Sequence, residues 1–359
     1  MRRTTDGAAV FGRHPRRIIL PRGSGPAARW KQRPSQTPRR VRVEKIVSEA
    51  QDAITLVLVP DDDRPLAFRA GQYLTHIFEI DGRDERRIYS LSSAEGGALA
   101  CTIRVLPEGR ASQFIARQLR EGDVYRVLGP GGDFTLDPAH QGSLVLLGAG
   151  SGMTPVISLV ETALASDPQR SVRVVDVQHD EAHALFHARL RALAQNHPGL
   201  SWDSVVTAVE GRPDAVRLAH LLRPAADAQV YLCGPQALMD AAEAGLKEAG
   251  FDLQHIRRER FVAAPQHRPR PTQPVPIVFK RSAHSVEQQP GESLLDAGLR
   301  AGLKLEFSCT VGGCGHCKVR VLDGEVLLEE PNCLLPEERA AGYTLACSAC
   351  ATTPVTVDA

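Results

Sequence analysis

The stretch Cys309-Thr-Val-Gly-Gly-Cys314-Gly-His-Cys317 decides the fold of the C-terminal part of this chain. It places three cysteines at x4 and x2 spacings, and Cys347 follows after 29 intervening residues. Thiolates are soft anionic donors, and this order of spacings is typical of a [2Fe–2S] site. A structural zinc site is the alternative, but zinc sites generally use paired C-x2-4-C knuckles. We therefore predict a [2Fe–2S] cluster held by Cys309, Cys314, Cys317 and Cys347.

Three further side chains near these ligands are predicted not to bind metal. His316 lies between two ligands, and we interpret it as a solvated loop residue because four thiolates already complete the site. Cys350 stands three residues after Cys347, but no second pair follows it to form a zinc knuckle. Cys333 is interpreted in the same way.

Length and charge limit the classes of protein to which the chain can belong. Its 359 residues are enough for two or three domains with apolar cores. The formal net charge of +1 hides an asymmetry, because residues 1–40 carry ten Arg and one Lys against one Asp, which leaves −9 on residues 41–359. An acidic body argues against a nucleic-acid partner. We interpret residues 1–40 as a disordered basic tail, with an organelle presequence or a segment that binds anionic surfaces as alternatives.

The remaining cysteines and the hydropathy pattern bear on location. Cys101, Cys233, Cys333 and Cys350 do not have the spacing of a disulfide framework, which favours a reducing compartment. No apolar run approaches the length of a membrane span, so we predict no transmembrane segment. Together these features predict a cytoplasmic protein.

Residues 41–141 show the pattern of a small antiparallel β-barrel. Short strand-like runs, such as Tyr73 to Ile80, are separated by turn signals at Asp81-Gly82 and Gly96-Gly97. Many short strands with frequent turns are typical of a barrel. The one helical pattern in this part runs from Ala111 to Leu119.

Arg87-Ile-Tyr89-Ser90 in this barrel resembles the Arg-x-Tyr-Ser motif of the ferredoxin–NADP reductase-like flavoproteins. The resemblance implies that Arg87 pairs with a flavin pyrophosphate, Tyr89 stacks beside the isoalloxazine and Ser90 hydrogen-bonds near flavin N5. On a strand, Arg87 and Tyr89 project to one face and Ser90 to the other. Gly109-Arg-Ala-Ser112 resembles the family's Gly-x-x-Ser, which implies that Gly109, Ser112 and the helix start face the pyrophosphate. An exposed barrel strand and a plain helix cap are the alternatives.

Residues 142–262 show the pattern of a doubly wound α/β domain with a parallel sheet. A continuous apolar run from Leu144 leads into Gly148-Ala-Gly150-Ser-Gly152-Met-Thr154-Pro155, and a helical pattern follows. A strand, a glycine turn and a helix start together form a cradle for a pyrophosphate. The turn resembles the nicotinamide-binding module of the same superfamily, which implies cofactor contacts at Gly148, Gly150, Thr154 and Pro155.

The end of this domain carries two further motifs. Cys233-Gly234-Pro235 matches the superfamily's Cys-Gly-Pro, which implies that these residues bind the nicotinamide side of the cofactor. Ligands gather at the carboxyl ends of such strands, whereas a buried cysteine that only packs is the alternative. Arg258-Glu259-Arg260-Phe261 resembles the Glu-x-Phe ending of relatives with a ferredoxin domain, which implies that Glu259 and Phe261 lie near the flavin.

The residues after the second strand of the α/β domain bear on the choice of nicotinamide. Relatives that use NADPH commonly carry an Arg there that binds the 2′-phosphate. This chain instead has Gln178-His-Asp180-Glu181. Because a carboxylate repels a phosphate and accepts a hydrogen bond from a ribose hydroxyl, we favour NADH over NADPH.

The C-terminal segment resembles a plant-type ferredoxin domain. Residues 263–276 hold five prolines and predict a semi-rigid linker. Residues 277–359 contain the cluster stretch, and the resemblance implies a β-grasp-like α+β fold. They carry seven Lys or Arg against eleven Asp or Glu. This acidic balance predicts a docking face for a basic partner.

The domain order resembles that of iron–sulfur flavoprotein reductases that serve oxygenases, the group that includes phenylacetyl-CoA epoxidase reductase subunits and hydroxylamine-cluster-protein reductases. The resemblance implies electron transfer from NADH or NADPH through FAD, with FMN less favoured, to the cluster and then to a soluble oxygenase, epoxidase or desaturase component. A flavin suits this relay because it exchanges electrons with both a two-electron and a one-electron partner. Ser90, Cys233 and Glu259 are the predicted catalytic residues. The alternatives are direct reduction of another acceptor, such as an iron–sulfur enzyme or a ferric chelate, and a redox sensor.

Overall fold

The computed structural model describes residues 37–62, 64–261, 273–330 and 332–359. They form two compact units. The larger unit contains the described residues up to 261 together with residues 306–316, and the smaller unit contains residues 273–305 and the described residues from 317 onward. Among these residues, no helix has both the length and the apolar character that a membrane span needs.

The first part of the larger unit is a barrel of six antiparallel strands with one helix: β1 (Arg39–Ala50), β2 (Ala53–Pro60), β3 (Tyr73–Ile80), β4 (Arg83–Ser90), β5 (Leu99–Arg104), α1 (Arg110–Arg117) and β6 (Val124–Gly131). The strand order is β4-β3-β6-β1-β2-β5. A bridge between Leu91 and Cys101 joins the two edges, so the sheet closes as predicted. Leu56, Leu74 and Phe78 belong to its apolar interior.

The barrel begins earlier than the sequence predicts. The charge pattern places Arg39 and Arg40 in the basic tail, but they are the first two residues of β1. Their charges have partners, because Arg39 pairs with Asp62 at 2.5 Å and Arg40 pairs with Asp61 at 3.0 Å. These ion pairs with acidic turn residues explain why Arg39 and Arg40 belong to strand β1 rather than to the basic tail. Residues 1–36 of the predicted tail lie outside the described residues.

The second part of the larger unit is a parallel sheet with helices on both faces: β7 (Leu144–Ala149), α2 (Met153–Ser166), β8 (Val172–Gln178), α3 (His187–Asn196), β9 (Leu200–Val206), α4 (Thr207–Glu210), α5 (Ala215–Leu222), β10 (Gln229–Cys233), α6 (Gln236–Glu248) and β11 (Ile256–Glu259). The strand order is β11-β10-β7-β8-β9. All six residues of β7 are buried, because helices cover both of its faces. One apolar core contains α2 and α3, and the other contains α5 and α6, which confirms the doubly wound fold.

Hydrogen bonds tie the barrel to the α/β part just beyond β4. The Ser158 hydroxyl on α2 donates to the Ser93 carbonyl at 2.6 Å, and Arg189 on α3 donates to the Ser92 carbonyl at 3.0 Å. Arg104 on β5 donates to the His183 carbonyl at 2.9 Å. The end of the Arg-x-Tyr-Ser strand is thus anchored to the helix that begins at the glycine turn.

The smaller unit is an α+β fold built from these elements: β12 (Val275–Phe279), β13 (His284–Gln288), α7 (Leu294–Arg300), β14 (Lys318–Asp323), β15 (Val326–Leu328), α8 (Pro336–Ala340), β16 (Tyr343–Leu345), β17 (Ala349–Ala351) and β18 (Val355–Asp358). Its main sheet has the order β13-β12-β18-β14-β16, and β15 pairs with β17. Ser293 and Asp296 form a reciprocal capping box at the start of α7. Ile277, Phe279 and Leu345 are fully buried.

The linker prediction needs a correction at its C-terminal end. The proline pattern places Val275 and Pro276 in the linker, yet they are the first residues of β12 and pair with β13. Proline is tolerated at the start of a strand, so Pro276 does not prevent pairing. Residues 263–272 of the predicted linker lie outside the described residues.

Candidate functional site

The first two predicted cluster ligands lie in a loop of the larger unit. Cys309 is fully buried, and its sulfur accepts a hydrogen bond from the Val311 amide at 3.5 Å. The Cys314 thiol donates to the same sulfur, and with the amides of Val311, Gly313 and Cys314 it lowers the pKa of Cys309 to about 6. Thr310 and Gly312 have φ of 57° and 72°, which turns these amides around the sulfur. The loop is therefore built to hold a thiolate.

The other two predicted ligands form a pair within the smaller unit. The sulfurs of Cys317 and Cys347 are 3.2 Å apart, and both residues are almost fully buried. The pair follows from strand register, because Lys318 on β14 is opposite Leu345 on β16 and the Ala346 amide donates to the Cys317 carbonyl at 2.9 Å. The ladder thus ends where the two thiols meet.

This pairing fits a two-iron cluster. A [2Fe–2S] cluster uses two ligands on each iron, which agrees with two separate pairs of thiols. Cys350 lies in β17 opposite Leu327, and Cys333 is half-buried. Their assignment as non-ligands stays a prediction.

His316 differs from its predicted environment. It is half-buried rather than solvated, and its Nδ1 lies 3.4 Å from the Tyr73 hydroxyl. Burial lowers the pKa of His316 below its ordinary value, so the neutral imidazole is favoured. A contact across 243 positions of sequence leaves no local signal, which is why the loop sequence alone indicates a solvated residue.

The predicted flavin residues occupy the end of β4. Arg87 is opposite His76 and Tyr89 is opposite Leu74, whereas Ser90 is opposite Tyr73 on the other face. The Arg87 guanidinium pairs with Glu85 at 2.5 Å and remains a quarter exposed. The Tyr89 ring meets His76 edge-on at 5.2 Å between centroids, and burial raises the pKa of Tyr89. Ser90, on the opposite face of the strand, is buried.

Ser112 has a local role that the motif did not reveal. Its hydroxyl accepts from the Leu106 amide at 3.1 Å and donates to the Gly109 carbonyl at 3.1 Å. A Cβ on Gly109 would lie 2.3 Å from that hydroxyl oxygen, so glycine is required there. Ser112 thus shapes the turn before α1, and the backbone amides at the helix start are the groups that suit a phosphate.

The predicted nicotinamide residues meet at the carboxyl edge of the parallel sheet. Cys233 ends β10, and the strand register places it between Gly148 on β7 and Glu259 on β11. The Thr154 hydroxyl donates to the Ser151 carbonyl at 2.8 Å and closes the glycine turn, while Pro155 is buried in the first turn of α2. This edge is where ligands bind in open α/β sheets.

Close backbone approach at this edge explains two glycines. A Cβ on Gly152 would lie 2.2 Å from the Cys233 carbonyl oxygen, and one on Gly234 would lie 2.9 Å from the Ala149 Cβ. Gly150 has φ of 55°, and a Cβ there would meet no atom of the described residues within 4 Å. Glycine is therefore favoured at this position by the positive φ and not by a lack of space. Gly152 was not among the predicted cofactor residues, although its close approach makes it a determinant of the turn. Pro235 precedes α6 and caps it.

Cys233 and Glu259 are neighbouring side chains whose raised pKa values favour their uncharged forms. Burial raises the pKa of Cys233 well above its ordinary value, with the neighbouring Glu259 charge acting in the same direction. Burial also raises the pKa of Glu259 to about 8, and its buried Oε2 has no hydrogen-bond partner among the described residues. Burial thus favours the uncharged forms of both side chains beside the glycine turn. Phe261 is 41% exposed just beyond β11.

Glu259 gives a pH-dependent stability that can be tested. Its carboxyl ionises near its ordinary pKa of 4.5 when unfolded but near 8 when folded, so it destabilises the fold increasingly as pH rises between these values. Glu259→Gln should therefore unfold at a temperature about 10 °C above the parent at pH 8, with the difference vanishing towards about pH 4.5. Thermal melts across this range, with Glu248→Gln on the exposed end of α6 as control, measure it. A difference independent of pH contradicts the assignment.

The turn after β8 holds the acidic residues Asp180 and Glu181. Asp180 Oδ1 accepts from the His183 amide at 3.0 Å and lies 2.6 Å from His183 Nδ1. These contacts lower the pKa of Asp180, led by the His183 side chain. Glu181 is exposed beside it. The turn is thus anionic at neutral pH.

Comparison with known protein families assigns all three parts of the chain. Residues 40–136 match the oxidoreductase FAD-binding domain, residues 146–244 the oxidoreductase NAD-binding domain, and residues 278–352 the 2Fe-2S iron-sulfur cluster binding domain. The fold and these sites therefore define an oxidoreductase that binds FAD, a nicotinamide and a [2Fe–2S] cluster.

Individual relatives place the chain further. It is 32% identical over 331 residues to one component of the 1,2-phenylacetyl-CoA epoxidase of Escherichia coli, covering 86% of this chain and 93% of the relative. It is also 32% identical to an NADPH oxidoreductase of Mycobacterium tuberculosis, over 80% of this chain and 76% of the relative. Phthalate dioxygenase reductase is a structural match at TM-score 0.67 and 24% identity, covering 89% of this chain and 97% of that one. The chain belongs to the family of iron–sulfur flavoprotein reductases, which confirms the predicted class, fold and cofactors.

Proposed function

We propose that this chain is the NADH-dependent reductase component of an oxygenase system and passes electrons to a soluble oxygenase, epoxidase or desaturase partner. The observation that carries the proposal is that one compact unit holds the flavin strand, the nicotinamide edge and two of the four cluster thiols. The name of the Escherichia coli relative, an epoxidase component, favours an oxygenase-type acceptor. The cysteines lack the spacing of a disulfide framework, which suits the reducing cytoplasm, where we place the protein.

The residues at the sheet edge bind and orient the nicotinamide. The amides of the glycine turn from Gly148 to Thr154 would hold the pyrophosphate, and Gly152 allows this turn to lie against the Cys233 carbonyl. Cys233 and Glu259 would present uncharged groups to a bound nicotinamide ring. Gly234 and Pro235 follow Cys233 and lead into α6, which begins directly after Pro235.

The residues of the barrel hold and orient the flavin. Arg87 and the start of α1 near Gly109 supply positive charge and amides for the pyrophosphate. The hydroxyl of the buried Ser90 would donate a hydrogen bond to the flavin ring. A bound flavin supplies the conversion between two-electron and one-electron transfer. The thiolates of Cys309, Cys314, Cys317 and Cys347 then hold the cluster that receives single electrons.

A coupled reaction tests the assignment of the acceptor. The loaded protein is mixed anaerobically with NADH, after which oxygen and a purified oxygenase component encoded beside its gene are added. We expect substrate oxidation that requires both proteins and consumes NADH in proportion to product. The second candidate function, direct reduction of a ferric chelate, follows the relatives named simply as oxidoreductases. Rapid chelate reduction with no coupling to any oxygenase component would favour that candidate instead.

The acidic turn predicts the choice of nicotinamide. Glu181→Arg replaces an exposed carboxylate with a group that can bind a 2′-phosphate. We expect the parent to prefer NADH, and the variant to raise kcat/KM for NADPH relative to NADH by about tenfold. Steady-state kinetics with both cofactors measure this ratio. Glu248→Arg, an equal change of charge on α6, is expected to leave it unchanged, and a parent that prefers NADPH contradicts the assignment.

The acidic balance of residues 277–359 predicts docking on a basic partner surface. Glu337 is exposed at the start of α8, where its side chain is available to a cation. We expect reduction of the partner to slow as ionic strength rises, because screening weakens complementary fields. Glu337→Lys should slow it at low ionic strength by about tenfold, whereas Glu44→Lys on β1 should not. A rate independent of salt in the parent would exclude the acidic docking face.

A further inference from the structure

The segment Glu306–His316, which carries two predicted cluster ligands, belongs to the same compact unit as the barrel. We name residues 306–316 the cluster loop. Its contacts with β3 and β4 are long-range in sequence and do not belong to the Arg-x-Tyr-Ser motif. The flavin and nicotinamide sites do not account for these contacts within the larger unit.

The buried contact in this set joins two hydroxyls. Thr75 Oγ1 lies 2.7 Å from Ser308 Oγ, across 233 positions of sequence. Thr75 is fully buried and Ser308 is 3% exposed. Ser308 immediately precedes Cys309, so this hydrogen bond fixes the backbone next to a cluster ligand. A buried hydrogen bond with no competing water is costly to remove on one side only.

Arg86 holds the same part of the loop in two ways. Its NH1 donates to the Ser308 carbonyl at 3.1 Å, and its guanidinium lies 5.2 Å from the centroid of the Phe307 ring. The second geometry is a cation–π contact. The Arg86 guanidinium therefore contacts the two residues that directly precede Cys309, the first predicted ligand.

The far side of the loop rests on the same two strands. A Cβ on Gly313 would lie 3.1 Å from Ile88 Cδ1, so the loop backbone packs directly on that side chain. The Tyr73 hydroxyl lies 3.5 Å from the Cys314 carbonyl oxygen. Both ligand-bearing ends of the loop, at Cys309 and Cys314, thus have a barrel contact.

Strand register puts all of these barrel residues on one face. Tyr73 is opposite Ser90, Thr75 is opposite Ile88, and Ile77 is opposite Arg86, whereas Arg87 and Tyr89 point to the other face. Leu74 and Phe78 on that other face pack into the barrel interior. The face with Thr75 and Arg86 is therefore the outer one, and Ser90, the predicted flavin N5 contact, shares it.

We propose that Thr75 and Arg86 are positioning residues that hold the cluster loop on the flavin-binding strand pair and thereby set the rate of electron transfer onto the cluster. The proposal rests on the proposed function. The step would move one electron from the reduced flavin to the oxidised cluster, whose charge falls by one. The only bond that breaks is the one to a flavin proton, which is released to solvent. Its rate depends steeply on distance, so a loop held less firmly transfers more slowly.

Two readouts on the loaded protein test the proposal. Stopped-flow mixing with NADH separates flavin reduction from cluster reduction, and amide hydrogen exchange reports the opening of residues 306–316. Thr75→Val and Arg86→Gln should slow cluster reduction by about tenfold and accelerate exchange in the loop, with flavin reduction by NADH unchanged. Thr75→Ser keeps the hydroxyl and should restore both values. Ser308→Ala should match Thr75→Val, and the two together should add nothing, because they remove the same contact.

The outcomes distinguish this proposal from the function on which it rests. Unchanged cluster reduction and unchanged exchange in both Thr75→Val and Arg86→Gln overturn the positioning role. Failure of NADH to reduce the flavin in the parent protein overturns the proposed function instead. If Thr75→Val does not load its cofactors, Arg86→Gln, which alters a partly exposed side chain, still decides the question through either readout.

Discussion

Replacing Cys347 with serine is expected to abolish electron transfer to a one-electron acceptor, with a fall of at least about 100-fold, while NADH still reduces the flavin. The sulfurs of Cys317 and Cys347 are 3.2 Å apart, so serine at position 347 would leave this pair with a single thiolate for the cluster. A serine oxygen is a harder donor that suits iron–sulfur chemistry poorly. Anaerobic flavin reduction by NADH and reduction of an added one-electron acceptor, measured on the same preparation, report the two halves of the reaction.

The chain offers a matched control three residues away. Cys350 is also buried, but it lies in β17 opposite Leu327 and is predicted not to bind the cluster. Cys350→Ser should retain the iron content and acceptor reduction of the parent. The ligand assignment is wrong if Cys350→Ser loses the cluster or if Cys347→Ser keeps it with full acceptor reduction.

Gly152→Ala is expected to have the opposite effect, with loss of flavin reduction by NADH and retention of the cluster. The added Cβ would lie 2.2 Å from the Cys233 carbonyl oxygen, so the glycine turn or the end of β10 has to move. A displacement of about 1 Å at a positioned site costs roughly 100-fold in rate, and we expect a fall of this size in the rate of flavin reduction. Stopped-flow measurement with NADH gives this rate directly.

Chemical reduction separates a local defect from misfolding in this variant. Dithionite should still reduce both the flavin and the cluster of Gly152→Ala, because neither is bound by the altered turn. Ser151→Ala changes the neighbouring position without adding bulk and should behave as the parent does. Normal reduction of Gly152→Ala by NADH would show that the close approach to Cys233 does not matter for the nicotinamide.

Local sequence pattern predicted most of the framework. Strand β3 at Tyr73–Ile80 has the bounds that periodicity indicated. The cysteine spacing likewise identified the cluster, because ligand spacing is a local property of the loop. The match of residues 278–352 to the 2Fe-2S iron-sulfur cluster binding domain confirms that part of the prediction.

Features that depend on distant residues were not predictable in this way. The hydrogen bond between Thr75 and Ser308 joins two ordinary hydroxyls, and His316 is half-buried because of Tyr73. Arg39 and Arg40 resemble the rest of the basic tail because their acidic partners follow more than 20 positions later. No window of local sequence contains both members of such pairs, so only the fold reveals them.

An anaerobic titration of the loaded protein with NADH tests the central claim most directly. The account predicts that the flavin absorption bleaches, that the electron paramagnetic resonance signal of a reduced [2Fe–2S] cluster appears, and that full reduction takes about three electrons per chain. A flavin that is fully reduced by NADH with no cluster signal, at about two electrons per chain, would contradict it.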